Sequence, residues 1–287
     1  MRLVFLGTPA AAVPPLRAIV DAGHEVALVV TRADKRRGRS EGLTPSPVKE
    51  AAVAMGLPVS HRVDDVIGLG ASLGVVVAFG QIIKPHVLEA VPMVNLHFSL
   101  LPRWRGAAPV ERAILAGDAE TGVCVMDVEE GLDTGGTYAC ERVDIGPSET
   151  ADGLRARLVE VGTDLLVRLL GSDLGTPEPQ AADGVTYAAK VTPEDLELRW
   201  DRPAAELARL PRVGKAWTTF RGKRLLVLAA RATEGSLPPG GLDGVRVGTS
   251  SGVLELQRVQ PEGRAVVEAA AWLNGARPAP GERLGGA

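Results

Sequence analysis

Leu73 to Phe79, L-G-V-V-V-A-F, carries no polar side chain and holds three consecutive valines. That composition fits a strand buried on both faces, and such strands need helices packed above and below the sheet. Arg2–Gly7 (R-L-V-F-L-G) also reads as a buried strand, and Gly7-Thr8-Pro9 as the turn into a helix over Ala12–Ala22. A strand over Glu25–Thr31 follows. Strands and helices alternating at such short spacing predict an α/β fold built on a doubly wound, mostly parallel sheet. G-T-P-A-A-A after the first strand lacks the G-x-G-x-x-G pattern, so no nicotinamide cofactor is expected.

The alternation continues with helices expected over Val48–Met55, Pro85–Ala90 and Val110–Ala116, and strands over Pro58–His61, Val94–Ser99, Thr121–Val128 and Gly135–Val143. Thr150–Leu170 reads as a long amphipathic helix whose core stripe is Leu154, Leu158, Val161, Leu165 and Leu169. Gly171–Asp183 is rich in Gly, Pro, Asp and Ala and reads as connecting chain. A catalytic domain over 1–182, a linker over 183–202 and a second domain over 203–287 are expected. Arg202–Leu210 suits a helix; from Thr218 onward, short β-like runs punctuated by Gly and Pro suggest a small β-barrel.

Val94 to Val110, V-N-L-H-F-S-L-L-P-R-W-R-G-A-A-P-V, is the first stretch that points to chemistry. Asn95 and His97 are two residues apart at the end of an apolar run, so in a strand they share a face. Pro102 ends the strand, R-W-R-G is too polar for core, and Pro109 suits a helix start. This places a polar pair at the carboxyl end of a strand, where open α/β sheets bind ligands. His97 alone would read as a hydrogen-bonded core residue. Asp133, in the Gly-rich E-E-G-L-D-T-G-G of Glu129–Gly136, changes that weighing. As a lone residue it reads as a turn former; an acid brought to an imidazole would instead fix the ring's tautomer and favour its charged form. Asn, His and Asp on neighbouring strand ends can stabilise an oxyanion and move a proton.

Thr31–Pro47 is long and polar, with Arg32, Lys35, Arg36, Arg37 and Arg39 outnumbering Asp34 and Glu41, and its glycines and prolines argue against helix or strand. Such a loop is either a phosphate-engaging segment or a solvated one. Charge is also uneven along the chain. From Asp201 onward there are 13 Lys/Arg against 8 Asp/Glu, a net of +5, whereas residues 1–200 have 19 against 27, a net of −8. A basic second region on an acidic body hints at an anionic partner.

Cys124 and Cys140 lie in β-like, apolar surroundings without a CxxC or a His cluster, so neither a metal site nor a disulfide is expected, only two reduced thiols. His24, His61 and His86 sit in polar turn contexts and read as surface residues. No apolar run approaches the length needed to span a bilayer, and Met1 leads directly into a strand, so a cytoplasmic protein is expected.

Taken together, F-L-G-T-P at the start, T-P-S-P-V-K at Thr44–Lys49, N-L-H-F-S-L-L-P-R-W-R-G-A-A-P at Asn95–Pro109, G-L-D-T-G at Gly131–Gly135, A-W-T-T-F-R-G-K-R-L at Ala216–Leu225 and L-N-G-A-R-P-A-P-G near the end resemble the methionyl-tRNA formyltransferase family. The resemblance implies a Rossmann-like formyltransferase domain followed by an oligonucleotide-binding-like, tRNA-binding β-barrel. It implies transfer of a formyl group from 10-formyltetrahydrofolate to methionine on initiator methionyl-tRNA, by a cytoplasmic monomer that needs no metal. Asn95 and His97 match the pair that binds the formyl oxygen, and Asp133 the acid that orients and charges His97. Val77, Phe79, Gly80, Gln81, Val128, Gly131 and Leu132 would line the pterin pocket, while Ser99, Leu100, Leu101 and Pro102 would shape the crevice where amine and donor meet. For tRNA it implies Arg32, Lys35, Arg36, Arg37 and Arg39 in the acceptor-stem loop, with Arg105, Lys215, Arg221, Lys223 and Arg224 elsewhere. Formyl transfer to a small amine, hydrolysis to formate, and a non-catalytic folate- or RNA-binding module are the alternatives.

Overall fold

The computed structural model of the chain describes residues 1–36 and 42–285. They fall into two compact units, one of Met1–Val110, Glu120–Asp144 and Leu154–Ala189, the other of Glu111–Ala119, Ile145–Gly153 and Lys190–Ala287. Through residue 189 the elements run β1 (Arg2–Gly7), α1 (Val13–Asp21), β2 (Glu25–Val30), β3 (Lys35–Arg36), β4 (Leu43–Thr44), α2 (Pro47–Ala54), β5 (Val59–Ser60), β6 (Leu73–Val77), α3 (Pro85–Ala90), β7 (Met93–His97), β8 (Arg105–Gly106), α4 (Pro109–Ala116), β9 (Glu120–Asp127), β10 (Thr137–Asp144), α5 (Ala151–Leu170) and β11 (Tyr187–Ala188).

Seven of these strands form one sheet in the order β10-β9-β7-β6-β1-β2-β5. From β5 to β7 the strands are parallel; β9 is antiparallel to β7, and β10 to β9. The chain first builds outward from β1 to β2 and β5, then returns to β1's other side with β6 and β7. The order therefore reverses at β1, and the crevice at such a switch point is where doubly wound sheets bind ligands. The carboxyl ends of β1, β6 and β7 lie side by side there, through the pairs Gly7↔Val77 and Val77↔Leu96. All five β6 residues are buried, as a strand covered on both faces requires.

The register of β7 is fixed from behind by α5. Leu96 points at Gly162, where an added Cβ would stand 2.9 Å from Val123 and 3.2 Å from Leu96. The buried line of α5 thus runs through Leu154, Leu158, Gly162, Leu165 and Leu166; Val161 and Leu169, expected in the stripe, lie only partly buried at its flanks. Because side chains alternate along a strand, the packing of Leu96 on α5 turns Asn95 and His97 to the other face.

Two expectations are corrected in this unit. Thr31–Pro47 contains a short ladder, in which Lys35 pairs with Thr44 and Arg36 with Leu43. Its base is closed by buried hydroxyls, Thr31 Oγ1 and Ser46 Oγ at 2.7 Å, while Ser46 caps α2 and Lys49 Nζ meets Asp34 Oδ2 at 2.7 Å. Cys124 and Cys140, expected as thiols, are joined by a disulfide. They lie directly opposite one another in the β9–β10 ladder, so register brings together two cysteines that no sequence motif links.

In the second unit, α6 (Ala204–Leu207) and α7 (Leu210–Val213) are single turns where one helix over Arg202–Leu210 was expected. Pro211, lacking an N–H, cannot extend the first turn. Then come β12 (Ala216–Phe220), β13 (Lys223–Thr233), β14 (Leu242–Asp243), β15 (Arg246–Gly248), β16 (Val253–Pro261), β17 (Val267–Glu268) and a helix α8 (Ala269–Ala276) that the sequence reading did not anticipate. The strands form an antiparallel sheet over a core that includes Trp200, Leu225, Val227, Leu254 and Trp272. Among the described residues, no helix is long and apolar enough to cross a membrane.

The two glycines of α5 should respond oppositely. Gly162→Leu overfills the helix–sheet contact and should lower unfolding stability by about 1–3 kcal/mol. Gly153 is exposed in the same helix, and Gly153→Ala should raise stability by about 0.4–1 kcal/mol by restricting the unfolded chain. Paired thermal melts of the two variants check both signs.

Candidate active site

Asn95 and His97 are brought to the carboxyl end of β7, and Asp133 reaches them from the loop between β9 and β10. His97 is buried, and its Nε2 lies 3.0 Å from the Trp104 carbonyl oxygen. A carbonyl only accepts, so Nε2 is the donor in that bond. The other ring nitrogen, Nδ1, stands 3.6 Å from Asp133 Oδ2, within ion-pair reach. That same oxygen accepts the Gly106 N–H at 2.7 Å, and Oδ1 lies 3.5 Å from Asn95 Nδ2. The carboxylate is therefore the common partner of an imidazole, an amide and a main-chain donor.

The loops that achieve this are held in unusual backbone conformations. Asp133, Trp104 and Ala78 have φ of 52°, 63° and 46°. Non-glycine residues rarely adopt this left-handed region, and such residues persist where surrounding contacts over-determine them. Gly106, at φ 122°, also leaves no room for a side chain, since a Cβ would stand 3.0 Å from the Ala188 carbonyl oxygen.

Several hydrogen bonds hold the R-W-R-G turn. Ser99 Oγ, fully buried, donates to the Arg103 carbonyl at 2.6 Å, and the Trp104 N–H donates to Thr186 Oγ1 at 2.8 Å. The short parallel pair β8–β11 continues the clamp, with the Ala107 N–H on the Ala188 carbonyl at 2.9 Å. Gln180 sends its Nε2 to the carbonyls of Asp133 and Gly135 at 2.8 and 2.7 Å, while its Oε1 accepts from Arg105 Nε and Nη2 at 3.0 and 2.6 Å. Sequence reasoning singled out neither Gln180 nor Thr186, both in a segment without periodicity. Nor did it single out Asp127, whose carboxyl is pushed up by burial and by neighbouring Glu129.

The remaining expected residues are distributed as follows. Val77 ends β6 fully buried, so it can offer a crevice only its main chain. Phe79 sits in the buried cluster against which Val128 packs, whereas Gly80, Gln81, Gly131 and Leu132 are exposed. Leu100 packs where a Cβ on Gly122 would fall, and the Leu101–Pro102 peptide is cis. Arg105 is bound to Gln180, as above. Arg32 donates to the Ala33 carbonyl, and Lys35 and Arg36 are exposed; Arg37 and Arg39 lie outside the described residues. In the second unit, Arg221 is engaged by Glu282, whose carboxyl it holds down at about 2. Lys223 is exposed. Lys215 and Arg224 line a cavity of about 700 Å³ with Pro193, Leu196, Leu226 and Pro261, and the Arg224 guanidinium lies 4.4 Å over the Trp217 ring. No group of three or more His, Cys, Asp or Glu among the described residues could hold a metal ion.

A family profile described as Formyl transferase matches residues 1–170, and one described as Formyl transferase, C-terminal domain, matches residues 190–277. The fold is shared with an N-formyltransferase from Helicobacter canadensis, crystallised with folinic acid and dTDP-3-aminofucose. That likeness has a TM-score of 0.71 at 16% identity, over 88% of this chain and 98% of that one. Fold and strand-end site thus define a formyltransferase. Among curated relatives, the methionyl-tRNA formyltransferase of Roseobacter denitrificans is 47% identical over 96% of both chains, and that of a Methylobacterium species 46% identical over 99% of both. The chain belongs to the methionyl-tRNA formyltransferase family.

Asp133→Asn keeps the side chain's shape but removes its charge, and with its oxygen on the Gly106 N–H it turns a donor toward Asn95 Nδ2, so charge on the imidazole is no longer balanced. Turnover should fall by at least about 10²-fold, in the range of lost acid–base catalysis. Circular dichroism should show an unchanged fold.

Proposed function

We propose that this chain transfers the formyl group of 10-formyltetrahydrofolate to the amino group of methionine on initiator methionyl-tRNA, for translation initiation. The reading is carried by the convergence of Asn95, His97 and Asp133 at one strand end, in a chain whose relatives over nearly its whole length are methionyl-tRNA formyltransferases. The folinic acid in the Helicobacter canadensis complex supports a reduced-folate donor in this fold. Main-chain groups of Val77–Gln81 and Val128–Leu132, segments whose Phe79 and Val128 meet at one buried cluster, suit the edge of a pterin.

In the transfer, the amine lone pair adds to the formyl carbon and the carbonyl electron pair moves onto oxygen. A proton leaves the attacking nitrogen, the bond from carbon to the donor nitrogen breaks as the oxyanion collapses, and the donor nitrogen takes up a proton. Asn95 Nδ2 donates to that oxygen, and His97 joins it when Nε2 exchanges its bond to the Trp104 carbonyl for one to the oxyanion. Asn95 exchanges a long 3.5 Å contact for a bond to a developing anion, an interaction that strengthens only as the transition state forms. Asp133, tethered by Gly106, stays beside Nδ1 and balances the ring's charge as protons move.

Lys35, Arg36, Lys215, Lys223 and Arg224 are exposed cations and serve the phosphate backbone of tRNA, joined by Arg37 and Arg39 from the same loop as Lys35. Such contacts make affinity fall steeply with salt. The enzyme works as a cytoplasmic monomer in this reading.

The test is the rate of formyl transfer from 10-formyltetrahydrofolate to initiator methionyl-tRNA, beside elongator methionyl-tRNA and small amines. A strong initiator preference is expected, and transfer only to a small amine would overturn the tRNA reading. Asn95→Ala should lower kcat by about 10²–10³-fold, the usual loss for one oxyanion donor, with KM for tRNA little changed.

A further inference from the structure

We infer that Gln180 is a positioning residue for the transfer step, fixing Asp133 through the main chain of its loop; the inference rests on the proposed function. The side chain is fully used. Both Nε2 hydrogens are donated, to the Asp133 and Gly135 carbonyls at 2.8 and 2.7 Å, and Oε1 receives two N–H groups of Arg105 at 3.0 and 2.6 Å.

What it fastens is specific. The Asp133 carbonyl belongs to the residue whose left-handed backbone aims the carboxylate. Arg105 immediately precedes Gly106, the main-chain donor that receives that carboxylate at 2.7 Å. One amide thus ties the acid's own backbone to the side chain of Arg105, the residue before its anchor, across two loops that leave different strands. Only a primary amide of this length does so. A glutamate would still accept from Arg105, but it would turn a charged oxygen toward two carbonyl oxygens; an asparagine would keep both donors and fall one methylene short. Loss of the tie lets the carboxylate drift relative to Nδ1, and misplacement of about 1 Å costs on the order of 10²-fold in rate.

The experiment compares Gln180→Glu in the wild-type chain and in Asp133→Asn, measuring kcat, KM for each substrate and the pH profile of kcat. In the wild-type chain, kcat should fall about 10- to 100-fold, with KM for tRNA within about two-fold and a displaced pH profile. In Asp133→Asn the same change should cost no more than about two-fold, since the group it positions is already gone. Gln180→Asn should lie between wild type and Gln180→Glu, and it carries the test if the glutamate variant fails to fold. An equal loss in both backgrounds, or a rise in KM at unchanged kcat, would overturn the role. An active wild type with unimpaired Gln180 variants would overturn this inference alone; a wild type that transfers formyl to no acceptor would overturn the proposed function with it.

Discussion

The hydrogen bond from the Gly106 N–H to the Asp133 carboxylate is the constraint on which the site depends. A bond from an amide to a charged acceptor contributes about 1.5–3 kcal/mol. Holding one non-glycine residue in the left-handed region costs of order 1–3 kcal/mol. The two magnitudes are comparable, and three such residues lie around this site. One contact therefore cannot hold the loops. That is why the surroundings supply Ser99 on the Arg103 carbonyl, Thr186 on the Trp104 N–H and Gln180 on the Asp133 carbonyl. Strain in one part of the crevice is offset by polar contacts distributed around it.

Beneath the loops, the sheet supplies direction. Asn95 and His97 face the crevice because Leu96 between them packs on α5 at Gly162, where the absence of a side chain lets the helix approach. A one-residue slip of β7 would send both polar groups toward the helix. The parallel pairing with β6 and the antiparallel pairing with β9 set the same register from both sides.

The strands β1, β2 and β6 were legible because each carries a continuous apolar run, and the Asn95–His97 pair because a period of two is visible without a structure. Asp133 could be singled out by its Gly-rich neighbours, but its meeting with His97 depends on β9 lying beside β7, which no local pattern encodes. The same gap explains Cys124 and Cys140, matched by antiparallel register across 16 residues. Gln180, Thr186 and β11 were unreadable for a different reason: a two-residue strand and single side-chain bonds leave no periodicity, and Gly171–Asp183 has the composition of plain connecting chain. The site's first layer was visible in the sequence, whereas the groups that hold it are visible only in three dimensions.

The profile for the catalytic half stops at residue 170, yet the first compact unit continues to Ala189, and its last stretch carries Gln180, Thr186 and Ala188. Asn95, His97 and Asp133 are all encoded by residue 133, but the contacts that hold their loops are not complete until some fifty-five residues later. A chain emerging from the ribosome holds all three of these side chains well before the contacts that brace their loops can form. An excised domain cut at residue 170 would keep the seven-stranded sheet and lose the contacts of Gln180, Thr186 and Ala188. The first compact unit closes just after the strand β11, which pairs with β8 beside the turn that presents Gly106 to Asp133.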